Sequence, residues 1–402
     1  MFKKGIIYLL LNYLIQALNI IFNLLLMKYL SSFQLGSLAL AKTWQQLVDY
    51  SHLGARFSLD RYIPVAEEDE KKYLVATVLF TTTLGSLIIF FVALIFNDAD
   101  IIVSLLTASG VFIAISNILK AYYRATNKLN EMLSLVFFNQ LMPLVIAITL
   151  YFITLNFNVY LISLLLTYFI FSFFLFYKER HLFNYLKIAQ LKRVFNSIAR
   201  PSFLLFLNSI VVFLYLVMDR FFVDYSNGRE QLGLYSVIIF VFSALMIIPA
   251  TVAELLFVKI IKQSCESGKR LFIKESLITL GITVLGIVVA NFCMGFFIEN
   301  YTEYGFLIED MHLATLAVLP FALTAIYYHV MNGLDLRWQI FTVNIMVLLA
   351  LFIYYLYPIL CNNIFSLDYY LYGKIMTGWL VFFGYVFFLN FKINNNNSGV
   401  FL

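Results

Sequence analysis

Three charged residues, Lys42, Asp49 and Arg56, recur at intervals of seven within a mostly apolar segment. At about 100° per residue, an α-helix brings positions seven apart back to one face. Three more polar residues fall on that face, within an arc of about 120°: Gln45, Gln46 and His52. These residue types could bind a charged substrate or a coupling ion, and they fit that use better than catalysis.

The stripe lies in what hydropathy predicts to be a membrane-crossing helix over residues 36–58. A charge facing lipid at the centre of a helix costs roughly 2.5–3.5 kcal/mol, and three such charges would prevent insertion of this modestly apolar segment. We therefore expect the stripe to face protein or water inside a helix bundle, where it would mark a polar pathway. Seven residues rise about 10 Å along a helix, so Lys42 and Asp49 each need a partner on another helix or water.

Structural explanations of the same residues stay open. Lys42 and Asp49 could serve only in ion pairs that hold helices together. Arg56 lies near the end of the predicted helix and could extend its guanidinium to the membrane surface. His52 could pack as a satisfied polar residue instead of titrating.

Four amides in the predicted first span repeat at spacings of four, three and four, which places them on one helix face: Asn12, Gln16, Asn19 and Asn23. They could hydrogen-bond neighbouring helices or line a cavity. Two charged residues in later spans are also ambiguous. Glu254 could pair with a nearby basic residue or act as a protonatable coupling site, and Lys374 could reach the outer surface or contact substrate.

The composition is that of an integral membrane protein. The chain has 402 residues, of which 62% are hydrophobic and 12% charged, whereas soluble domains carry about 25% charge. Apolar runs long enough to span a bilayer, about 20 residues each, predict an all-α protein with twelve transmembrane helices. They lie near residues 6–27, 36–58, 74–96, 101–123, 133–154, 158–177, 202–222, 233–258, 275–297, 312–332, 338–358 and 370–391.

Charge placement supports this count. With the N-terminus inside, 22 of the 27 Lys and Arg residues fall at the inner face, while acids dominate the outer loops. The positive-inside rule then places both termini in the cytoplasm. The net charge of +5 is explained by anionic lipid headgroups, so no nucleic-acid partner is expected.

The longest inner connection, residues 178–200, divides the chain into six-helix lobes over 1–177 and 201–392, followed by a short polar tail over 393–402. Apolar and basic residues alternate in this connection, which predicts a basic amphipathic helix in the membrane interface. The tripeptide Gln-Leu-Gly opens the second span at 34–36 and the eighth span at 231–233. This repeat predicts a pseudo-two-fold axis along the membrane normal, with a substrate path between the lobes.

The two lobes differ in the helices that the repeat relates. The positions equivalent to the charged stripe are apolar in the eighth span: Ile239, Met246 and Ala253. One charged wall and one apolar wall would suit an amphiphile better than a small ion.

Motifs of catalysis and cofactor binding do not occur in the sequence. It has no H-E-x-x-H, G-x-S-x-G or Walker A motif and no metal-ligand cluster, so no cofactor is expected and an enzyme is disfavoured. A membrane glycan polymerase or transferase, and a scaffold protein, are weaker alternatives to a transporter.

Several segments together resemble a known family. They are the N-terminal KKGxxYxxxNYLxQxLNxIFNLLLMKYLSSFQLGSLAL, the segment MDRFFVDYSNGREQLGLYS with Asp219-Arg220, and the region from Gly54 to Pro64. The chain resembles the polysaccharide-transport branch of the multidrug/oligosaccharidyl-lipid/polysaccharide (MOP) exporters, particularly Wzx-type O-antigen flippases of the bacterial plasma membrane.

The resemblance implies a two-lobed transporter that moves a polyprenyl-diphosphate-linked oligosaccharide to the outer leaflet by alternating access. Lys42 and Arg56 become the anion-binding candidates, with the amides, Gln46 and Lys374 as further substrate contacts. Asp49, Glu254 and His52 become candidates for coupling to H⁺ or Na⁺. Membrane lipids and other polysaccharide-assembly proteins are the implied partners, and an ion-coupled multidrug exporter with the same fold is the main alternative.

Overall fold

A computed structural model describes residues 2–186, 191–253, 256, 272–361 and 365–397. Helix is the regular secondary structure throughout these residues. The chain consists of two compact units. The first contains Met1–Leu25 and Ser37–Phe206, and the second contains Leu26–Gly36 and Leu207–Leu402.

The first half of the chain forms eight α-helices, interrupted by 3₁₀ turns at Tyr50–His52 and Ile63–Val65 and by a π-helical turn at Phe137–Leu141. In chain order they are α1 (Phe2–Tyr29), α2 (Ser32–Asp49), α3 (Ala55–Tyr62), α4 (Glu68–Phe96), α5 (Ile101–Ala125), α6 (Leu129–Val136), α7 (Met142–Thr154) and α8 (Phe157–Lys178).

The second half begins, after a 3₁₀ turn at Arg180–Tyr185, with a 37-residue helix. Its described helices are α9 (Leu191–Asn227), α10 (Arg229–Leu245), α11 (residues 247–253), α12 (Phe272–Tyr301), α13 (Ile308–Leu316), α14 (Val318–Gly333), α15 (Arg337–Leu360) and α16 (Leu367–Asn397).

Ten helical segments within the described residues are long and apolar enough to cross a membrane. Each coincides with one of the third to twelfth predicted spans, which makes the chain a multi-pass membrane protein. α1 and α2 are not among the ten, so the count of twelve is not confirmed. α2 has 18 residues and would extend about 27 Å, close to the thickness of the hydrocarbon core, about 30 Å.

The predicted single helix over 36–58 is wrong. α2 ends at Asp49, and the chain turns through a left-handed Leu53 (φ 47°) and Gly54 (φ 89°) before α3 begins. Gly54 suits this turn for two reasons: glycine adopts positive φ without steric cost, and an added Cβ would lie 3.0 Å from the Cβ of Phe206. The turn gives Arg56 a direction that a continuous helix would not.

The predicted amphipathic linker is partly incorporated into longer elements. α9 begins at Leu191 and continues through Pro201 to Asn227, and Leu182 is fully buried in the hydrophobic core of the first unit. Residues 187–190 lie outside the described part of the chain. The position of the linker in the membrane interface, the lobe boundaries and the polar tail stay predictions.

The repeated Gln-Leu-Gly segments lie at the starts of α2 and α10, and they contact each other within the second unit. A Cβ added at Gly36 would overlap the carbonyl oxygen of Arg229, and one added at Gly233 would overlap that of Ser32. The contact is reciprocal, since each glycine receives the backbone of the other repeat. The repeat is therefore a pair of close backbone contacts as well as a sequence match.

We expect Gly36→Ala and Gly233→Ala each to lower stability by about 1–3 kcal/mol, because the added methyl group forces two helix backbones apart. Gly281→Ala on α12 is the control, since an added Cβ there meets nothing within 4 Å and alanine favours a helix over glycine by about 1 kcal/mol. Thermal unfolding of the purified protein measures all three. Unchanged midpoints for the first two variants would contradict the close contact.

Candidate functional site

Lys42 and the amides of α1 form the first part of the site. The ammonium of Lys42 donates a hydrogen bond to Oδ1 of Asn23, and Nδ2 of Asn23 donates to the carbonyl oxygen of Asn19 at 2.6 Å. Nδ2 of Asn19 in turn donates to the carbonyl of Ile15 at 3.0 Å. Lys42 therefore has the partner on another helix that the sequence required.

Asp49, Arg56 and Asn117 form the second part. Nη1 of Arg56 donates to Oδ2 of Asp49 at 2.8 Å, and Nδ2 of Asn117, on α5, donates to Oδ1 of the same carboxylate at 2.8 Å. The side chains of Arg56 and Asp49 are 29% and 32% exposed. Both oxygens of the Asp49 carboxylate therefore accept a hydrogen bond, while part of the ion pair remains exposed.

The packing of α3 explains how Arg56 reaches Asp49. Ala55 and Leu59, four residues apart, are fully buried in the core of the first unit with Ile118 of α5. This packing fixes the rotation of α3 and directs the neighbouring Arg56 away from the core. Ser58 adds a buried contact, with its Oγ 2.6 Å from Oγ of Ser202.

His52 stabilises the turn between α2 and α3. Its side chain is 3% exposed, and its Nδ1 accepts a hydrogen bond from the backbone N–H of Gly54 at 2.9 Å. The imidazole packs edge-on against Phe57 and Phe206, with ring centroids 5.2 and 6.1 Å away. This environment supports the packing role that the sequence left open.

The prediction that the charged stripe runs along one straight helix is wrong, because α2 ends at Asp49 and Arg56, on α3, turns back to bind Asp49. Asn117 marks the depth of this pair. It lies sixteen residues after the start of α5 and eight before its end, about 24 Å from one end and about 12 Å from the other. The ion pair therefore lies inside the span, nearer the end predicted to be cytoplasmic.

The other polar candidate residues of the first unit differ in their surroundings. Nε2 of Gln45 donates to Oγ of Ser109 on α5 at 2.7 Å. Gln16 and Gln46 are exposed, as is Asn19, whose Nδ2 is hydrogen-bonded to the carbonyl of Ile15. The side chain of Asn12 and the whole of Glu254 lie outside the described residues.

Lys374 is a buried structural cation, which contradicts both predicted uses, reaching the outer surface and contacting substrate. Its side chain is 1% exposed and its ammonium lies 2.7 Å from Oδ2 of Asp219, whose side chain is 0% exposed. The ammonium also donates to the carbonyl oxygen of Leu216, and Tyr235 donates its hydroxyl to Oδ2 of Asp219 at 2.5 Å. A charge enclosed by its partners has no face for a substrate.

Asn117 was not predicted from the sequence. The signal that could have found it is an amide in the middle of the apolar helix α5, where it must have a hydrogen-bond partner. Among the described residues, no group of three or more His, Cys, Asp or Glu side chains could hold a metal ion.

Comparisons with solved structures identify the fold. The chain aligns with an inward-facing multidrug resistance MATE family transporter of the MOP superfamily at a TM-score of 0.70 and 12% identity, over 95% of this chain and 96% of that one. It aligns with the lipid II flippase MurJ in an inward closed conformation at a TM-score of 0.69 and 16% identity, over 96% and 87%. A eukaryotic MATE transporter gives 0.60 and 14%, over 94% and 91%.

These similarities cover nearly the full length of every chain, and they show that the protein has the fold of MATE transporters and MurJ. The predicted all-α membrane fold is confirmed, although the count of twelve spans is not. No protein-family model matches the sequence, and no curated protein matches it.

We expect Lys374→Met to destabilise the protein by about 3–5 kcal/mol, because it leaves the buried carboxylate of Asp219 without a counter-charge. The double variant Asp219→Asn/Lys374→Met removes both charges and should recover much of the loss. Arg337→Gln is the control, since its ion pair with Asp335 is exposed and worth at most about 1 kcal/mol. Equal unfolding midpoints for Lys374→Met and the control would contradict a buried ion pair.

Proposed function

We propose that this protein is a flippase that moves a polyprenyl-diphosphate-linked oligosaccharide from the cytoplasmic to the outer leaflet of the bacterial plasma membrane by alternating access. Both termini lie in the cytoplasm in this proposal, in agreement with the distribution of Lys and Arg. The sugar would be a repeat unit of O-antigen or a related surface polysaccharide. Transport, without bond formation or cleavage, is the whole activity.

The partly exposed ion pair of Arg56 and Asp49 carries the proposal. A guanidinium presents five N–H donors in a planar fork that matches phosphate oxygens, and in a site of low dielectric such charge-assisted hydrogen bonds are strong. Asp49, which itself accepts a hydrogen bond from Asn117, binds the guanidinium and leaves the Arg56 side chain 29% exposed. An arginine that is ion-paired and still partly exposed suits a diphosphate better than a neutral solute.

The polar groups of α1 and α2 support the same substrate class. Gln16 and Gln46 are exposed on helices of a membrane protein, where an amide facing hydrocarbon would be costly. Amides are suitable partners for the hydroxyl groups of sugars because each has both donors and an acceptor. Lys42, held by Asn23, supplies a second cation for the diphosphate.

Competition for Arg56 supplies a route to coupling. Asp49 is the candidate for coupling to H⁺ or Na⁺, because a diphosphate that binds the guanidinium competes with this carboxylate for Arg56. His52 is the neighbouring candidate for coupling, although its buried position favours support of the turn.

A multidrug exporter is the second candidate, because the fold matches the multidrug MATE transporter as closely as the lipid II flippase, at TM-scores of 0.70 and 0.69. Deletion of the gene separates the two. The flippase proposal expects loss of surface glycan without drug hypersensitivity. Intact surface glycan in the deletion strain would exclude the flippase proposal.

In that strain, we expect Arg56→Gln and Asp49→Asn to reduce restored surface glycan about tenfold or more, while membrane abundance stays normal. Lys71→Gln is a matched control, since Lys71 is also an ion-paired cation with 22% side-chain exposure. The double variant Asp49→Asn/Arg56→Gln distinguishes function from structure. It should stay inactive if Arg56 binds substrate, and recovery of glycan in it would show that the pair only stabilises the fold.

A further inference from the structure

A groove on the first unit, apart from the charged stripe, combines an apolar part and a polar part. The apolar part, a cavity of about 290 Å³, lies between α6, the π-helical turn and α8. The polar part, a cavity of about 420 Å³, lies beside the loop after α5 and the end of α8. Tyr123, Glu131 and Lys178 line both cavities, so the two cavities adjoin, and together they make up the groove.

The π-helical turn shapes the apolar part. Asn139 in this turn is buried, and its Nδ2 donates to Oγ of Ser116 on α5 at 3.1 Å and to Oγ of Ser172 on α8 at 3.4 Å. These bonds hold the turn between two helices. The aromatic side chains that line the apolar part remain accessible, since Phe138 is 44% and Phe174 63% exposed.

The polar part carries charges of both signs. Lys178 forms an ion pair with Glu131, and Lys128 lines the same cavity. Glu179 is buried and accepts a hydrogen bond from the hydroxyl of Tyr123 at 2.6 Å, and Nε2 of His181 lies 3.8 Å from its Oε2. Two carboxylates and two ammonium groups therefore line the same cavity.

The position of the groove matches the layers of a membrane. Lys178 is the last residue of α8, and Lys128 immediately precedes α6, so the charges lie where spans end and lipid headgroups begin. Phe138 and Phe174 lie within spans, at the level of acyl chains. From the ends of the spans toward their middle, the groove changes from polar to apolar, as a phospholipid does from its headgroup to its acyl chains.

We propose that this groove binds one phosphatidylethanolamine molecule from the leaflet in which α5 and α8 end. Its phosphate lies between Lys128 and Lys178, its ammonium donates hydrogen bonds to Glu131 and Glu179, and one acyl chain runs along Phe138 and Phe174. Phosphatidylglycerol has no cation for the carboxylates, and the quaternary ammonium of phosphatidylcholine has no N–H to donate. This lipid site does not depend on the proposed transport function.

Native mass spectrometry of the full-length protein tests the proposal. Detergent-purified protein is incubated with equal amounts of phosphatidylethanolamine, phosphatidylglycerol and phosphatidylcholine that share the same acyl chains. We expect one bound phosphatidylethanolamine, retained about tenfold over the other two, the order of one charge-assisted hydrogen bond. Glu131→Gln should reduce this preference, since Glu179 alone then accepts from the ammonium, and Ser134→Trp should lower retention of all three lipids because it fills the apolar part.

Two matched substitutions control for general effects. Asp335→Asn removes an exposed ion-paired acid outside the groove, and Thr149→Trp introduces the same indole side chain at an exposed helical position on α7; both should bind like wild type. Equal retention of the three lipids by wild type, or an unchanged preference in Glu131→Gln, would overturn the proposal. Stoichiometric displacement of phosphatidylethanolamine by added polyprenyl phosphate would also overturn it, since the groove would then be a substrate site.

Discussion

A polar group inside a hydrocarbon layer must find its hydrogen-bond partner within the protein, because no water is present to replace it. Asp49 satisfies this requirement with Arg56 and Asn117, which lie on two other helices. Lys42 satisfies it with Asn23 of α1. These bonds connect α1, α2, α3 and α5 in the first unit. The charges that make membrane insertion of α2 costly therefore also link α2 to the helices around it.

The same requirement is met differently in the two units. Lys374 and Asp219 enclose each other completely, at 1% and 0% side-chain exposure, whereas Arg56 and Asp49 remain about one third exposed. Because both charges are buried, removing one partner of the Lys374–Asp219 ion pair strongly destabilises the protein. Partial exposure leaves a charge that can exchange one partner for another, which is the property that the proposed binding of a diphosphate requires.

The turn at Leu53 and Gly54 connects backbone geometry to this chemistry. Without it, α2 would continue and place Arg56 about 10 Å along the axis from Asp49. With it, α3 packs Ala55 and Leu59 into the core and its second residue binds the carboxylate. His52 holds the turn through Gly54, and a histidine that seemed suited to titration therefore has a structural use.

The sequence by itself determined the all-helical membrane fold, ten of the spans and the residues of the charged stripe, because apolar length and charge placement are local properties of the chain. The repeat at Gly36 and Gly233 was also visible, although its reciprocal backbone contact was not. Only the tertiary structure decided that α2 ends at Asp49, that Asn117 completes the carboxylate's partners and that Lys374 is enclosed by Asp219. Those outcomes depend on partners far away in sequence, and hydropathy and helical periodicity carry no information about which distant residue satisfies a buried charge.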